Sequence, residues 1–411
     1  MGCEQWGMRG RVNGQVNLFV KINLEELVPP DHPIRAIKRM ADEALKAMSR
    51  TFAAAYSATG RPSIPPERLL KAMILLSLYT VRSERALCER ITFDMLFRWF
   101  LDMTPDEPCF DHSVFSVNRE RLDNLDITRK FKEQIVFQAI DAGLISDEHF
   151  SIDGSLLQSH ASLKSLKTIE VIKARKEAAA AAEKDTKKSR KKRQKQQQKK
   201  KDGDDDPGKS DSNPWVDYKG QKRGNKTHRS TTDPQARLYT KSGGQAALLH
   251  HTMHVLMENR NGLGVDILID AADGKAEHRS ALKLVDRVGR AFALEVATLG
   301  ADKGYDCGAL MVELDKRNVE PHVACKAQKE IQPRDDDPGA WARWHNQQEQ
   351  DEAGFQVSQR KRKLNEEIFG WFKQFGGLRR SRVVGRWKIQ QLADMTLSTL
   401  NMVRMVKLLG A

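Results

Sequence analysis

Asp153 follows the β-prone run Phe150-Ser151-Ile152, Asp302 follows Val296 to Leu299, and Glu366 lies on a helix-forming stretch with Phe369, Trp371 and Phe372. Two carboxylates at strand ends and a third on a helix packed beside them form a set of hard oxygen donors, the kind that suits Mg²⁺. Strand ends are stiff enough to hold such donors to the tolerance that chemistry demands. Two divalent ions about 4 Å apart serve phosphodiester cleavage by balancing charge on the nonbridging oxygens, activating the nucleophile and stabilising the leaving oxygen. An aspartate after a strand is also ordinary turn chemistry, so spacing alone leaves both readings of Asp153 and Asp302 open.

Other polar groups suggest sites and are read more simply. His250, His251 and His254 share one strand without cysteine or carboxylate partners at ligand spacing, which favours a structural role over zinc. Asp270, Asp273 and Glu277 fit a turn followed by a helix start. Asp233 precedes a proline and reads as a turn former.

The elements that must position the three carboxylates change character along the chain. Residues Asn23 to Leu122 are predicted helical: Pro65-Pro66 opens an apolar periodic stretch at Leu69, Leu70, Met73, Leu76 and Leu78, Ser83 caps the next helix, and Asp111-His112-Ser113 caps another. A short strand through His149 to Ile152 is expected to end at Asp153. Further strands are expected at Leu238-Tyr239, His251 to Met257, Val265 to Ile269, Val296 to Leu299 and Val319 to Ala324. Helices are expected at Ala276 to Ala293, Ala309 to Leu314 and Lys363 to Phe375. Strands followed by alternating helices and strands describe an α/β domain with a mixed sheet, preceded by an all-α domain. The expected boundaries are 1–145 for the helical domain and 146–411 for the α/β domain, interrupted at about 165–212. Within that interruption Lys187 to Lys201 is nearly all Lys, Arg and Gln. Such a block cannot bury itself, and it reads equally as a solvated linker and as a counterion-releasing DNA clamp.

The formal net charge of the 411-residue chain is +14, which attracts polyanions. Cys3, Cys88, Cys109, Cys307 and Cys325 are scattered with no Cys-x-x-Cys pair, against a disulfide framework or a structural zinc. No uncharged run is long enough to span a bilayer. The expectation is a soluble, cytoplasmic, nucleoid-associated protein.

Several segments carry a resemblance. Asp302-Lys303-Gly304-Tyr305-Asp306, the spacing of Arg362, Glu366 and Lys373, and Gly377-Leu378-Arg379 resemble the DDE transposases of the bacterial insertion-sequence-five group. So do Thr231-Thr232-Asp233-Pro234, Ala236-Arg237-Leu238-Tyr239 and Met257-Glu258-Asn259-Arg260-Asn261-Gly262. At the N-terminal end Val28-Pro29-Pro30-Asp31-His32-Pro33 and Ser113-Val114-Phe115-Ser116 are similar to that group's first domain. The resemblance implies a ribonuclease-H-like catalytic domain, with Asp153, Asp302 and Glu366 as catalytic metal ligands for two Mg²⁺ ions and Mn²⁺ able to substitute. It implies terminal inverted repeats and target DNA as partners, a homo-oligomer on DNA, and phosphate contacts from Arg362, Lys373, Arg379 and Arg380. Some relatives carry a tyrosine seven residues before the glutamate, where this chain has Gln359. The alternative reading is an inactive or repurposed ribonuclease-H-like DNA-binding protein acting as a repressor.

Overall fold

Residues 22–55, 63–174, 223–240, 246–326, 331–333 and 336–410, with Glu177, are described by the structure, a computed structural model. The basic run Lys187 to Lys201 lies outside them. Local chemistry sets the helices of the N-terminal third: α1 (Leu24–Leu27), α2 (Pro33–Ala47), α3 (Ser49–Ala55), α4 (Pro66–Leu78), α5 (Glu84–Phe93), α6 (Met95–Phe100), α7 (Ser113–Asn124) and α8 (Ile127–Asp141). Proline opens α2 and α4, where its missing N–H costs nothing. Ser83 Oγ accepts from Ala86 N at 3.1 Å to start α5, and Asp111 Oδ1 accepts from Ser113 N at 2.8 Å to start α7. In α4 Leu69, Leu70, Ala72, Ile74 and Leu75 are all fully buried, so this helix is enclosed rather than laid on a surface.

Among the described residues eight strands follow: β1 (His149–Gln158), β2 (Leu166–Thr168), β3 (His228–Ser230), β4 (Arg237–Tyr239), β5 (Leu248–Glu258), β6 (Gly264–Ala271), β7 (Thr298–Ala301) and β8 (Glu320–Val323). β2 and β3 pair apart from the rest. The main sheet has six strands in the order β4-β5-β1-β7-β8, with β6 sharing the far edge of β5 with β4. β1, β5 and β6 are antiparallel, whereas β1, β7 and β8 run parallel, so the sheet is mixed. Parallel neighbours require crossovers, supplied by α9 (Ala276–Phe292) before β7 and α10 (Gly308–Asp315) between β7 and β8. Then come α11 (Pro338–Gln348), α12 (Ala353–Lys361), α13 (Leu364–Gln374) and α14 (Arg386–Leu409).

Both faces of the sheet are covered. α9 buries Ala281, Leu284, Val285 and Val288 on one face. On the other, Ile368, Phe369 and Phe372 of α13 join Met253, Val255 and Met257 of β5 and Leu397 of α14 in one cluster. A second, larger core runs from Val28 through α4, α8, β1 and α9 to Val406, so the N-terminal helices and the sheet share a continuous interior. α14 lies at the join and packs against α2, α4, α8 and β6. A buried polar cluster pins the same join: Lys132 of α8 pairs with Asp266 of β6, which Arg287 reaches at 2.9 Å, and Asp394 of α14 lies 3.9 Å from Lys132.

Two expectations need correction. The strand expected to stop at Asp153 continues to Gln158, because β5 pairs with it as far as Gln158↔His250. Asp153 is therefore a mid-strand residue. The strand expected at Val296 to Leu299 begins and ends two residues later, at Thr298–Ala301. Three helices, α11, α12 and α14, carried no clear sequence signal. In α14 Gln391, Asp394, Thr396, Ser398, Thr399 and Asn401 are buried beside Ile389, Ala393, Leu397 and Leu400, so polar residues blur its apolar period in the sequence. Ser398 and Thr399 hydroxyls donate within the helix to Asp394 O and Met395 O, and Asn401 reaches across to bond both Gly264 N and Gly264 O of β6.

Candidate active site

β7 stays beside β1 only through Ser151↔Gly300, while β1 runs on for seven more residues. Among the described residues, from Ile152 that edge of β1 has no neighbouring strand until Arg380 bridges to Gln158, where Gln158 N donates to Arg379 O at 3.3 Å and Ser381 N donates to Gln158 O at 2.7 Å. A cleft of about 750 Å³ opens in this gap. Asp153, Asp302, Glu366, Arg362 and Lys373 all line it. Arg379 and Arg380 are not in its lining; both are exposed on the segment that bridges to the far end of β1.

Each carboxylate is held differently. Asp153 Oδ1 accepts from Gly154 N at 2.7 Å, and its Oδ2 faces Arg362 Nη1 at 3.9 Å. Burial pushes the Asp153 carboxyl up to about 6; Asp302 and Glu366 push the same way, against the Gly154 N–H and Arg362. Asp302 is the first residue beyond β7, and its Oδ1 accepts from Gly304 N at 2.8 Å to start a tight turn through Tyr305. Glu366 is exposed on the first turn of α13. Its neighbour Glu367 instead bonds Arg404 Nη2 of α14 at 3.0 Å and does not line the cleft.

Two further carboxylates, Asp273 and Glu277, which the sequence reads as a turn and a helix start, also line the cleft. Glu277 stands at the start of α9, and burial followed by Asp302 raises its pKa. A Cβ added to Gly304 would sit 2.8 Å from Glu277 Oε2 and 2.9 Å from Asp302 Oδ1, so the two carboxylates converge over that glycine. A helix-start acid gave no sign of this, because the tertiary fold alone brings α9 to the end of β7. His254 lines the cleft, and its Nδ1 lies 3.4 Å from the hydroxyl of the buried Tyr305. Gly154 makes room for them, since a Cβ there would lie 2.9 Å from His254 Nδ1. Burial pushes His254 down to about 4, so it is neutral at ordinary pH. Burial also raises the Tyr305 phenol well above its usual value, with Asp153, Glu277 and Asp302 adding to it.

Asp233, His251 and Asp270 serve structure. His251 Nε2 bonds Asp233 Oδ2 at 2.8 Å, and both are fully buried. Asp233 also accepts from Ser159 Oγ at 2.7 Å and from Gln235 N at 3.3 Å, the latter closing the expected turn. Asp270 is taken by Arg279 and Arg386.

Among the described residues no three His, Cys, Asp or Glu side chains stand ready-made as a metal cage. The donor chemistry nevertheless fits hard divalent cations. The lining acids are carboxylates, and their mutual repulsion at Asp153 is what a cation would relieve.

A family model described as a transposase domain matches residues 22–121, and the model of the transposase DDE domain matches residues 226–402. The chain belongs to the DDE transposases. Transposases of this family act on DNA and generally use divalent metal ions. The two domains in this order agree with the insertion-sequence-five type, and the helical N-terminal region followed by a mixed sheet between helices is the ribonuclease-H-like DDE architecture. Asp302 and Glu366 fall within the DDE match, whereas Asp153 lies between the two matches. Comparison with curated proteins and with solved structures gives no match. Among the described residues no helix of this transposase is long and apolar enough to cross a membrane.

Proposed function

We propose that this transposase cleaves DNA strands at transposon ends and joins the freed ends to target DNA. Asp153, Asp302 and Glu366 would hold two Mg²⁺ ions, with Mn²⁺ able to substitute. The observation that carries this reading is the gap between β1 and β7, lined by all three carboxylates and by Arg362 and Lys373.

In the first stage a water oxygen attacks the terminal phosphorus in line, the P–O3′ bond breaks, and a 3′-hydroxyl is released. In the second, that hydroxyl oxygen attacks a target phosphodiester and the target's own 3′ oxygen leaves. In-line displacement needs positioning and charge stabilisation rather than a covalent enzyme–DNA link. The bound ions would supply charge neutralisation at the nonbridging and leaving oxygens. Asp153, fixed by its strand and by the Gly154 N–H, and Asp302, fixed by its own turn, present oxygens from rigid backbone. Arg362 and Lys373 hold the DNA backbone at the cleft, and Arg379 and Arg380 extend that contact along the end of β1. The helices of residues 1–145 bind the transposon end, residues 146–411 form the catalytic domain, and the working complex is a homo-oligomer on DNA.

Cleavage of an end-containing duplex with Mg²⁺ tests the assignment. Asp153→Asn and Asp302→Asn each remove one charge and keep the shape, so both abolish cleavage and leave end binding largely intact. A near-wild-type rate in either variant removes that residue from the triad.

A further inference from the structure

We infer that Gln359 is a positioning residue that ties the Asp302 end of β7 to Arg362, and through Arg362 to Asp153. The inference rests on the triad reading above. α12 approaches β7 so closely that only glycine fits at position 300, where a Cβ would lie 2.7 Å from Ser358 Oγ and 2.9 Å from Ser151 Oγ. Phe355, 3% exposed, anchors the helix against the His322 ring at 5.3 Å. This approach sets Gln359 across the ends of the two parallel strands. Its Nε2 donates to Ala301 O at 3.1 Å and to His322 O at 2.5 Å, and Ala301 is the residue before Asp302.

The amide's other end faces the cleft. Gln359 Oε1 accepts from Arg362 Nε at 3.3 Å, which leaves Arg362 Nη1 directed at Asp153 Oδ2. One side chain thus uses both donor hydrogens and its acceptor on three partners, of which Ala301 precedes Asp302 and Arg362 faces Asp153. A tyrosine hydroxyl, with a single donor hydrogen, could not serve both carbonyls. At this position the chain therefore uses its side chain inward, to hold the site, rather than outward on DNA. Phe355 and Ser358 also bury α12 against the sheet, apart from Gln359.

The test uses the full chain, an end-containing duplex and Mg²⁺, with Gln359→Ala, Arg362→Ala and the double variant. Single-turnover cleavage by Gln359→Ala should fall about tenfold, as expected for a small misplacement of reacting groups. End-DNA affinity should stay within about twofold, and the double variant should cleave within about twofold of Arg362→Ala alone, because the two act in series. Hydrogen exchange at Arg362 Nε–H, followed by NMR, should quicken in Gln359→Ala; this readout does not depend on catalysis. A wild-type rate, multiplicative losses, or a loss of DNA affinity matching the loss of rate would each overturn the proposal. Asp302→Asn run alongside separates the two failures. Normal cleavage by that variant sinks the triad reading, whereas unchanged Arg362 exchange sinks the Gln359 link itself.

Discussion

Glu366 and Glu367 are adjacent on α13, about 100° apart around the helix axis, so they cannot face the same partner. Glu366 lines the cleft with Asp153 and Asp302, and its charge contributes to the raised Asp153 pKa. Glu367 points to α14, where its carboxylate bonds Arg404 Nη2 at 3.0 Å with the glutamate side chain 64% exposed. Glu366→Gln removes one of the three carboxylates from the cleft. A thousandfold or greater loss of strand cleavage is expected, about 4 kcal/mol on the barrier. Glu367→Gln breaks an ion pair open to solvent, which screening limits to about 0.5 kcal/mol of stability. Arg404 keeps its bond to Gly262 O, so α14 stays docked. Its effect on rate should be tenfold or less, about 1.4 kcal/mol. Single-turnover cleavage and strand transfer by the two variants, with end binding as a control, give the answer. The reverse order, with Glu367→Gln inactive and Glu366→Gln active, would refute the geometric reasoning.

Two further predictions concern other parts of the chain. Deleting Lys187 to Lys201 should weaken binding to all DNA sequences alike, and each lost phosphate contact should flatten the slope of log affinity against log salt by about 0.9; an unchanged slope returns the segment to a linker. Lys132→Met should lower stability in urea unfolding by about 3 kcal/mol, the low end for breaking a buried pair, because Arg287 still faces Asp266; a neutral result would mean that the cluster does not fasten α8 to the sheet.

Much of this protein was legible in its sequence because its signals are local. Proline at helix starts, Ser83 and Asp111 as caps, and the apolar period of α9 act within a turn or two, and these elements formed where expected. The motif around Asp302 and the spacing of Arg362, Glu366 and Lys373 likewise lie within short stretches. The end of β1 could not be read this way. Asp153 and Gly154 look like a turn, yet the strand continues because β5, almost a hundred residues later, pairs along it to His250. α14 was hidden because polar residues are mixed into its buried surface and its partners, Gly264 and the N-terminal helices, lie far away in sequence. Above all, the early departure of β7 from β1 opens the cleft and sets Asp153, Asp302, Glu366 and Glu277 around it. Glu277 read alone is a helix-start acid, and Gln359 read alone is a missing tyrosine. Their partners at the end of β7 reach them only through packing, because strand pairing and helix docking join residues that no short window of sequence contains.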